Sequence, residues 1–354
     1  MKIVILHDWF DKKGGGERLV LNLAKALDAD VYTGFIDYDK TFEDAKSIKI
    51  ISLNCRQNLP QFLRNMLISK KFSEYNFPKY DFYIFSGVWC ISAAEKLHPN
   101  LVYLHTPARF LYDLKDYHLS KMSIVQRPFA KLFIRYWIPK DQKFMANFDK
   151  ICANSKNVKN RVKKYYGENL YNKTSVVYTG FDTKKYKYKK SENFYLSPSR
   201  LDKLKRIGVL IEAFKQMPDK KLVIAGTGHD EQRLRKLAAG STNIKFVGSV
   251  SEKEMLDLYS TCIATISANV DEDLGLVPLE THASGKPAIV VREGAFVETV
   301  KKTNGVFFEP NALSLIEAIK DVESRKWDYK KIQKSAEKYS IRNFVTRIKK
   351  SIQP

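Results

Sequence analysis

The sequence predicts an α/β fold of two domains, each a parallel sheet wrapped by helices. Three observations predict it: a length of 354 residues, a strand–helix alternation that runs through the first half and restarts in the second, and a polar charge run between the two series. A chain this long exceeds one ordinary core and suits two of about 150 to 200 residues each. Composition agrees, with 44% hydrophobic and 28% charged residues and no Pro, Ser or Gly tract of the kind that keeps chains disordered.

In the first series, short apolar runs at 2–6, 82–86, 101–104 and 150–153 read as buried strands, and segments 17–27, 90–97 and 156–166 read as helices. The second series has strands at 194–196, 221–225, 244–247, 264–267 and 288–291, with helices at 207–216, 231–239, 252–259 and 278–284 between them. Strands separated by helices make parallel sheets. Between the series, 183–193 is rich in lysine and cannot bury itself, so it reads as a connection. The expected domains are 1–182 and 194–338, joined by that linker.

Net charge is +22 and both halves are basic, a field that favours nucleic acid, acidic lipid headgroups or phosphorylated substrates, although a lysine-rich composition alone also produces it. Cys55, Cys90, Cys152 and Cys262 stand far apart with no C-x-x-C pair, which speaks against a zinc knuckle or a disulfide framework and for a reducing compartment. The start, Met1 to Asp8, has too short an apolar run for a secretory signal. No stretch approaches the ~20 apolar residues of a membrane-crossing helix. The expectation is a cytoplasmic protein whose membrane contact, if any, is peripheral.

In open parallel sheets ligands bind outside the carboxyl ends of the strands, and three such segments carry chemistry. After the first strand, Gly14, Gly15 and Gly16 let backbone amides approach a ligand while the next helix aims its positive end at an anion. The run has neither G-x-G-x-x-G spacing nor a P-loop ending, and a plain turn would look the same. After the first strand of the second series, Arg200 offers a planar fork and Lys205 a point charge, the pair a diphosphate needs; a solvated basic loop is the alternative.

The third segment runs from Ala268 to Pro287. Pro278 suits the first helical position and Gly285 the stop, so Glu272 falls in the loop and Glu280 in the first helical turn. Carboxylates accept hydrogen bonds from paired sugar hydroxyls, and Gly275 lets amides come close. Glu280 could also simply complement the helix dipole. The D-x-D pattern at 271–273 recurs at 28–30 and 37–39, so it arises by chance here, and no metal site is expected.

Together these segments resemble glycosyltransferase family 4, the retaining GT-B transferases, from the first strand nearly to the C-terminus. The landmarks follow the family's order: Gly14 to Arg18, His105-Thr106-Pro107, Asn154-Ser155, Tyr178 to Asp182, Arg200 with Lys205, Gly226-Thr227-Gly228, and Glu272 to Glu280. His7-Asp8-Trp9, His105 to Leu114 and Glu272 to Glu280 are similar to the bacterial and archaeal mannosyltransferase subgroup. Leu274, where the family often has Phe, Thr179, where Asn is frequent, and Lys286 depart mildly.

The resemblance implies two Rossmann-like domains whose parallel sheets face a cleft, with the C-terminal helix at 339–354 returning to the first domain. It implies a nucleotide-sugar co-substrate, GDP-mannose leading, and no required cofactor. Arg200 and Lys205 would bind the diphosphate, Glu280 the ribose, and Glu272 with the amides of Asp273, Leu274, Gly275, Leu276 and Val277 the transferred sugar. The base would lie near Gly248 and Ser251, Gly15 and Gly16 would face the diphosphate, and His105 would stand beside the donor sugar. Such an enzyme needs no protein nucleophile.

The acceptor is the gap, with a glycan or lipid-linked glycan expected. Segments 56–79 and 126–143 mix bases, aromatics and aliphatics as interfacial helices do, and equally as amphipathic helices packed on their own sheet do. A UDP-sugar donor, a GT-B epimerase and a basic nucleic-acid-binding protein remain the alternatives, the last without an aromatic RNA-binding signature or zinc spacing.

Overall fold

The computed structural model describes residues 1–353 and divides into two compact units, Met1–Thr179 together with the residues from Phe344 on, and Gly180–Asn343.

The first unit contains β1 (Ile3–His7), α1 (Gly15–Leu27), β2 (Asp30–Thr33), β3 (Ile50–Ser52), α2 (Gln61–Glu74), β4 (Phe82–Ser86), β5 (Asn100–Leu104), α3 (Lys115–Ser120), α4 (Gln126–Ala146), β6 (Lys150–Ala153), α5 (Lys156–Tyr166), α6 (Glu168–Lys173) and β7 (Thr174–Val176). Its sheet has the order β3-β2-β1-β4-β5-β6-β7, and every pairing is parallel. All five residues of β1, β4 and β5 are buried, because helices cover both faces of a parallel sheet and leave no polar side. The order reverses direction between β1 and β4, the kind of switch point outside which α/β sheets bind ligands.

The helix expected at 90–97 is instead a single 3₁₀ turn, Cys90–Ala93. Asp8 explains the difference: its buried carboxylate accepts the amides of Val88, Trp89 and Cys90 at 2.7 to 2.9 Å and so dictates the path out of β4. Gly87 makes room for it, since a Cβ there would lie 2.4 Å from an Asp8 oxygen.

The second unit contains β8 (Tyr195–Pro198), α7 (Ile207–Lys215), β9 (Leu222–Ala225), α8 (Glu231–Leu237), β10 (Ile244–Gly248), α9 (Glu252–Thr261), β11 (Thr265–Ser267), α10 (Leu276–Ala283), β12 (Ala288–Val291), α11 (Phe296–Thr299), β13 (Gly305–Phe308), α12 (Ala312–Ser324) and α13 (Tyr329–Ala336). Its parallel sheet has the order β10-β9-β8-β11-β12-β13, with the switch point between β8 and β11. A last helix, α14 (Ile341–Ile352), places Phe344, Ile348 and Ile352 at a spacing of four on one face, and all three are buried in the first unit's core with Ile3, Ile5 and Tyr103.

Residues 183–193 are not a free connection. They lie on the second unit, where the amides of Lys189 and Glu192 donate to the carbonyls of Ser260 and Thr261. Lys286, fully buried, donates its Nζ to the Lys189 carbonyl at 2.7 Å and to Ser191 Oγ at 2.9 Å, with its charge over the Tyr188 ring. The tyrosines that alternate with the lysines supply the apolar anchor that a count of charges misses.

His282 is 1% exposed, and its Nε2 donates to the Asn304 carbonyl at 2.9 Å. Burial pushes its pKa down to about 3, against about 6.5 for an unfolded histidine. The unfolded state therefore takes up a proton first as pH falls, and the stability the neutral ring contributes is present above pH ~6.5 and lost below it. His282→Gln should accordingly lower Tm at pH 7 and lower it by steadily less as pH is taken from ~6.5 to ~4. Thermal melts of the two chains across that range check this, and a pH-independent gap would refute it.

Candidate functional site

The second unit's switch point is built from loops that touch backbone to backbone. Leaving β8, the chain donates Leu201 N to the Thr227 carbonyl. Asp202 then caps the 3₁₀ turn Lys203–Lys205 by accepting the Leu204 amide at 2.9 Å. Gly226 and Gly228 permit this approach, since Cβ atoms on them would stand 2.1 and 2.2 Å from the carbonyl oxygens of Ser199 and Leu201. On the other side, Val270 N donates to the Leu204 carbonyl at 2.9 Å, which brings the loop after β11 alongside.

There Lys205 Nζ meets Glu272 Oε2 at 2.8 Å, and Asn269 Nδ2 donates to the same oxygen at 2.6 Å. The Glu272 backbone is fixed in turn. Ala295 N donates to its carbonyl, and Gly294, at φ +55°, packs so closely that a Cβ would lie 2.4 Å from the Glu272 nitrogen. Arg206, itself left-handed at φ 48°, ties α7 to the loop after β12 by an ion pair with Glu293 at 2.7 Å.

Helix α10 begins at Leu276, two residues before the expected Pro278, because Gly275 in the left-handed region serves as its N-cap. Glu280 is therefore the fifth helical residue and not a first-turn partner of the dipole. Its carboxylate accepts the hydroxyls of Tyr186 at 2.9 Å and Tyr259 at 2.6 Å. Burial pushes its pKa up, and the two hydroxyls oppose that rise by stabilising the anion. A carboxylate with about four acceptor positions keeps capacity for a further donor.

The other expected residues lie at the same end of the sheet. Arg200 is exposed and makes no side-chain hydrogen bond or ion pair with another described residue. Gly248 ends β10 at φ +69°, with open space where a Cβ would be. Ser251 is engaged structurally: its hydroxyl and amide both meet the Glu254 carboxylate in a capping box that starts α9. Asp273 is half-buried and Leu274 buried in the loop, and Leu276 and Val277 open α10. Asn269, Arg206, Tyr186 and Tyr259 do not stand out in the sequence: Asn269 and Arg206 lie within the segments selected above and Tyr186 within the lysine-rich run, but their partners are set by the fold.

In the first unit, His105 follows β5, half-buried, with Nε2 3.0 Å from Ser86 Oγ; His7 Nδ1 contacts the Ser86 carbonyl. Burial and the neighbouring His7 push the His105 pKa down to about 4, so the ring is neutral at pH 7. Gly15 and Gly16 are the first residues of α1, and a Cβ on Gly16 would stand 3.9 Å from His105 Nε2. The start of α1 already faces a negative group. Glu17, buried, turns back so that its carboxylate would collide with any Cβ on Gly14, and Lys12 Nζ lies 3.8 Å from it. Beyond β2 and β3 a cavity of about 650 Å³ is lined by Ser52, Asn54, Arg56 and Asn58, among others. Among the described residues no group of three or more His, Cys, Asp or Glu side chains could hold a metal ion.

Comparison with known proteins identifies the whole assembly. The family model described as Glycosyltransferase Family 4 matches residues 13–185, and that described as Glycosyl transferases group 1 matches 180–339. An uncharacterised glycosyltransferase of Methanocaldococcus jannaschii is 26% identical over 99% of this chain and 97% of its own. The alpha-1,3/1,6-mannosyltransferase of Dictyostelium discoideum is 24% identical over 85% of this chain and 84% of its own. A GDP-mannose-dependent phosphatidylinositol monomannoside mannosyltransferase of Corynebacterium glutamicum is 36% identical, but over only 31% of this chain and 32% of its own. Anabaena HepE, solved with UDP, has the same fold, with a TM-score of 0.76 at 19% identity and 99% of both chains covered. With one family model on each side of the unit boundary and both sheets parallel, the chain belongs to glycosyltransferase family 4 and is a glycosyltransferase of the GT-B type.

Proposed function

We propose that this chain transfers mannose from GDP-mannose, with retention at the anomeric carbon, to a glycan or lipid-linked glycan at the cytoplasmic face of a membrane. The observation that carries the reading is the Lys205, Glu272 and Asn269 cluster at the β8–β11 switch point, with exposed Arg200 beside it in sequence. Mannose and guanine are supported by the names of relatives, two of which are mannosyltransferases and one of which is GDP-mannose-dependent. UDP bound to the similarly folded HepE makes a UDP-sugar the donor to test against.

In this reading Arg200 and Lys205 hold the donor diphosphate. Glu272 and the amides of Asp273 to Val277 hold the sugar, Glu280 the ribose, and Gly248 with the backbone at Ser251 the base. Gly15 and Gly16 approach the diphosphate, and neutral His105 donates or accepts at the sugar without adding charge. The bond from C1 to the phosphate oxygen breaks as the acceptor oxygen bonds to C1 on the same face. The acceptor's hydroxyl proton passes to the leaving diphosphate. Lys205 and Arg200 stabilise the charge that develops there, and alignment of donor with acceptor supplies the rest. The cavity beyond β2 and β3, with Asn54, Arg56 and Asn58, has the polar lining an acceptor glycan needs.

Thermal shifts against GDP- and UDP-sugars test the donor, and the expected result is selective stabilisation by GDP-mannose. Stabilisation by UDP-sugars alone would reject mannose from GDP-mannose.

Lys205→Met and Glu272→Gln should each cut turnover by about 10² to 10³-fold, the usual cost of one lost transition-state contact. Their circular dichroism should stay that of the parent. Parental turnover in either chain removes these residues from the site.

Gly294→Ala should perturb the same carboxylate through its backbone. A side chain at left-handed φ costs roughly 1 to 2 kcal/mol, so Tm should drop by several degrees. KM for the donor should rise more than in an alanine variant of a surface residue, and an unchanged KM would show that the Glu272 backbone tolerates the shift.

A further inference from the structure

Helix α4 is apolar on two sides. One side belongs to the core: Trp137 and Met145 are buried, and Phe133, Ile134 and Ile138 pack against the first unit's main cluster. The other side faces out. Val125, Phe129, Leu132 and Tyr136 recur at intervals of four, three and four, which aligns them in one stripe, and they are 75%, 71%, 67% and 50% exposed. Ile124, 81% exposed, extends the stripe into the turn before the helix, and Phe62 at the start of α2 adjoins it through the Phe133 ring. Of fifteen exposed large apolar side chains among the described residues, six lie between Met122 and Tyr136. Scattered exposed apolar residues need no explanation, but a contiguous stripe marks an interaction surface.

Charge selects the occupant. From Tyr117 to Lys140 the chain carries Lys121, Arg127, Lys131, Arg135 and Lys140 and no acid. A second copy meeting the first through this face would set those cations against their duplicates, in a chain of net charge +22, which opposes self-association. An anionic bilayer answers both features, since it accepts apolar side chains at the headgroup boundary and cations beside them. The base of the helix is rigid enough to present them: Asp141, 1% exposed, accepts the hydroxyls of Tyr112 at 2.7 Å and Tyr166 at 2.8 Å and so pins α4 to the loop after β5 and to α5.

We infer that the outer face of α4, from Ile124 to Tyr136, with Phe62 of α2, is the surface by which this transferase docks on anionic lipid. The inference rests on the membrane location proposed above only for its purpose; the docking itself requires no particular donor or acceptor.

Flotation of the full chain with phosphatidylcholine vesicles, with and without phosphatidylglycerol, tests it. Binding is expected to the anionic vesicles alone, weakening as salt rises, and falling about tenfold or more in the double variant Phe129→Glu, Leu132→Glu. Both side chains are exposed, so the variant should fold, and its thermal shift by nucleotide sugar should match the parent's, which separates loss of docking from loss of the donor site. Failure of the parent to float with anionic vesicles at low salt would overturn the inference, as would equal flotation of the double variant. A concentration-dependent dimer in sedimentation, abolished by the same variant, would overturn it too by giving the face to a second copy.

Discussion

Lys205 and Glu272 meet at 2.8 Å because three loops approach without side chains between them, and the rest of the second unit's site follows from that approach. Gly226 and Gly228 seat the β8 loop, Gly294 seats Glu272, and each would place a Cβ inside the van der Waals radius of a backbone atom. The pair itself adds little stability. Its side chains are 23% and 21% exposed, and ion pairs with access to water contribute on the order of 0 to 1 kcal/mol. Its importance is positional: opposite charges are held partly out of water at a switch point, where a ligand of mixed polarity can exchange one partner for another. An ammonium with three donors can keep its carboxylate and still turn to a phosphate.

Two carboxylates share another device. Glu280 holds the hydroxyls of Tyr186 and Tyr259, and Asp141 those of Tyr112 and Tyr166. In each case burial raises the acid's pKa while the hydroxyls resist, and the phenols are pushed up in turn by burial first and then by the neighbouring negative charge. Each cluster joins elements that a sheet alone would leave independent: the strap after Gly180 with α9 and α10 in one unit, and α4 with α5 in the other. Removing a single hydroxyl therefore loosens a helix as well as a hydrogen bond. The identical chemistry in two unrelated places argues that the Glu280 tyrosines are a mechanical support whatever else the carboxylate binds.

Much of this was legible in the sequence, and the reasons divide cleanly. The strands 82–86 and 150–153 and the helix at 156–166 match their observed bounds because apolar runs and helical periodicity are local signals. β2, β3, β7 and β13, no longer than β6, were missed because Asp30, Ser52, Thr174, Ser175 and Gly305 dilute their apolar runs. The turn at 90–93 depends on the Asp8 carboxylate 82 residues away from Cys90, which no window of sequence contains, and the early start of α10 depends on the left-handed conformation of Gly275, a residue in plain view whose cap role the Pro278 signal masked. At the site, Arg200, Lys205, Glu272 and Glu280 declared themselves by charge after strands. Asn269 and the two tyrosines did not, since their role comes from contacts across 21 to 94 residues of chain or from a turn whose shape the fold decides.

Charge in this protein acts at two ranges, and separating them accounts for what net charge alone could not. The +22 total sets a long-range field that salt screens within about 10 Å and that every anionic partner feels alike. Close up, the site chemistry runs on near-neutral groupings: Lys205 against Glu272, Arg206 against Glu293, and His105 kept uncharged by burial. An acid-free run of cations from Tyr117 to Lys140 lies beside the apolar stripe of α4, while α5 and α14 carry acid-free cations with no such exposed stripe. What sets α4 apart is the bare apolar stripe beside its cations, the combination on which the docking inferred above rests, and the long-range field would draw such a face toward anionic lipid.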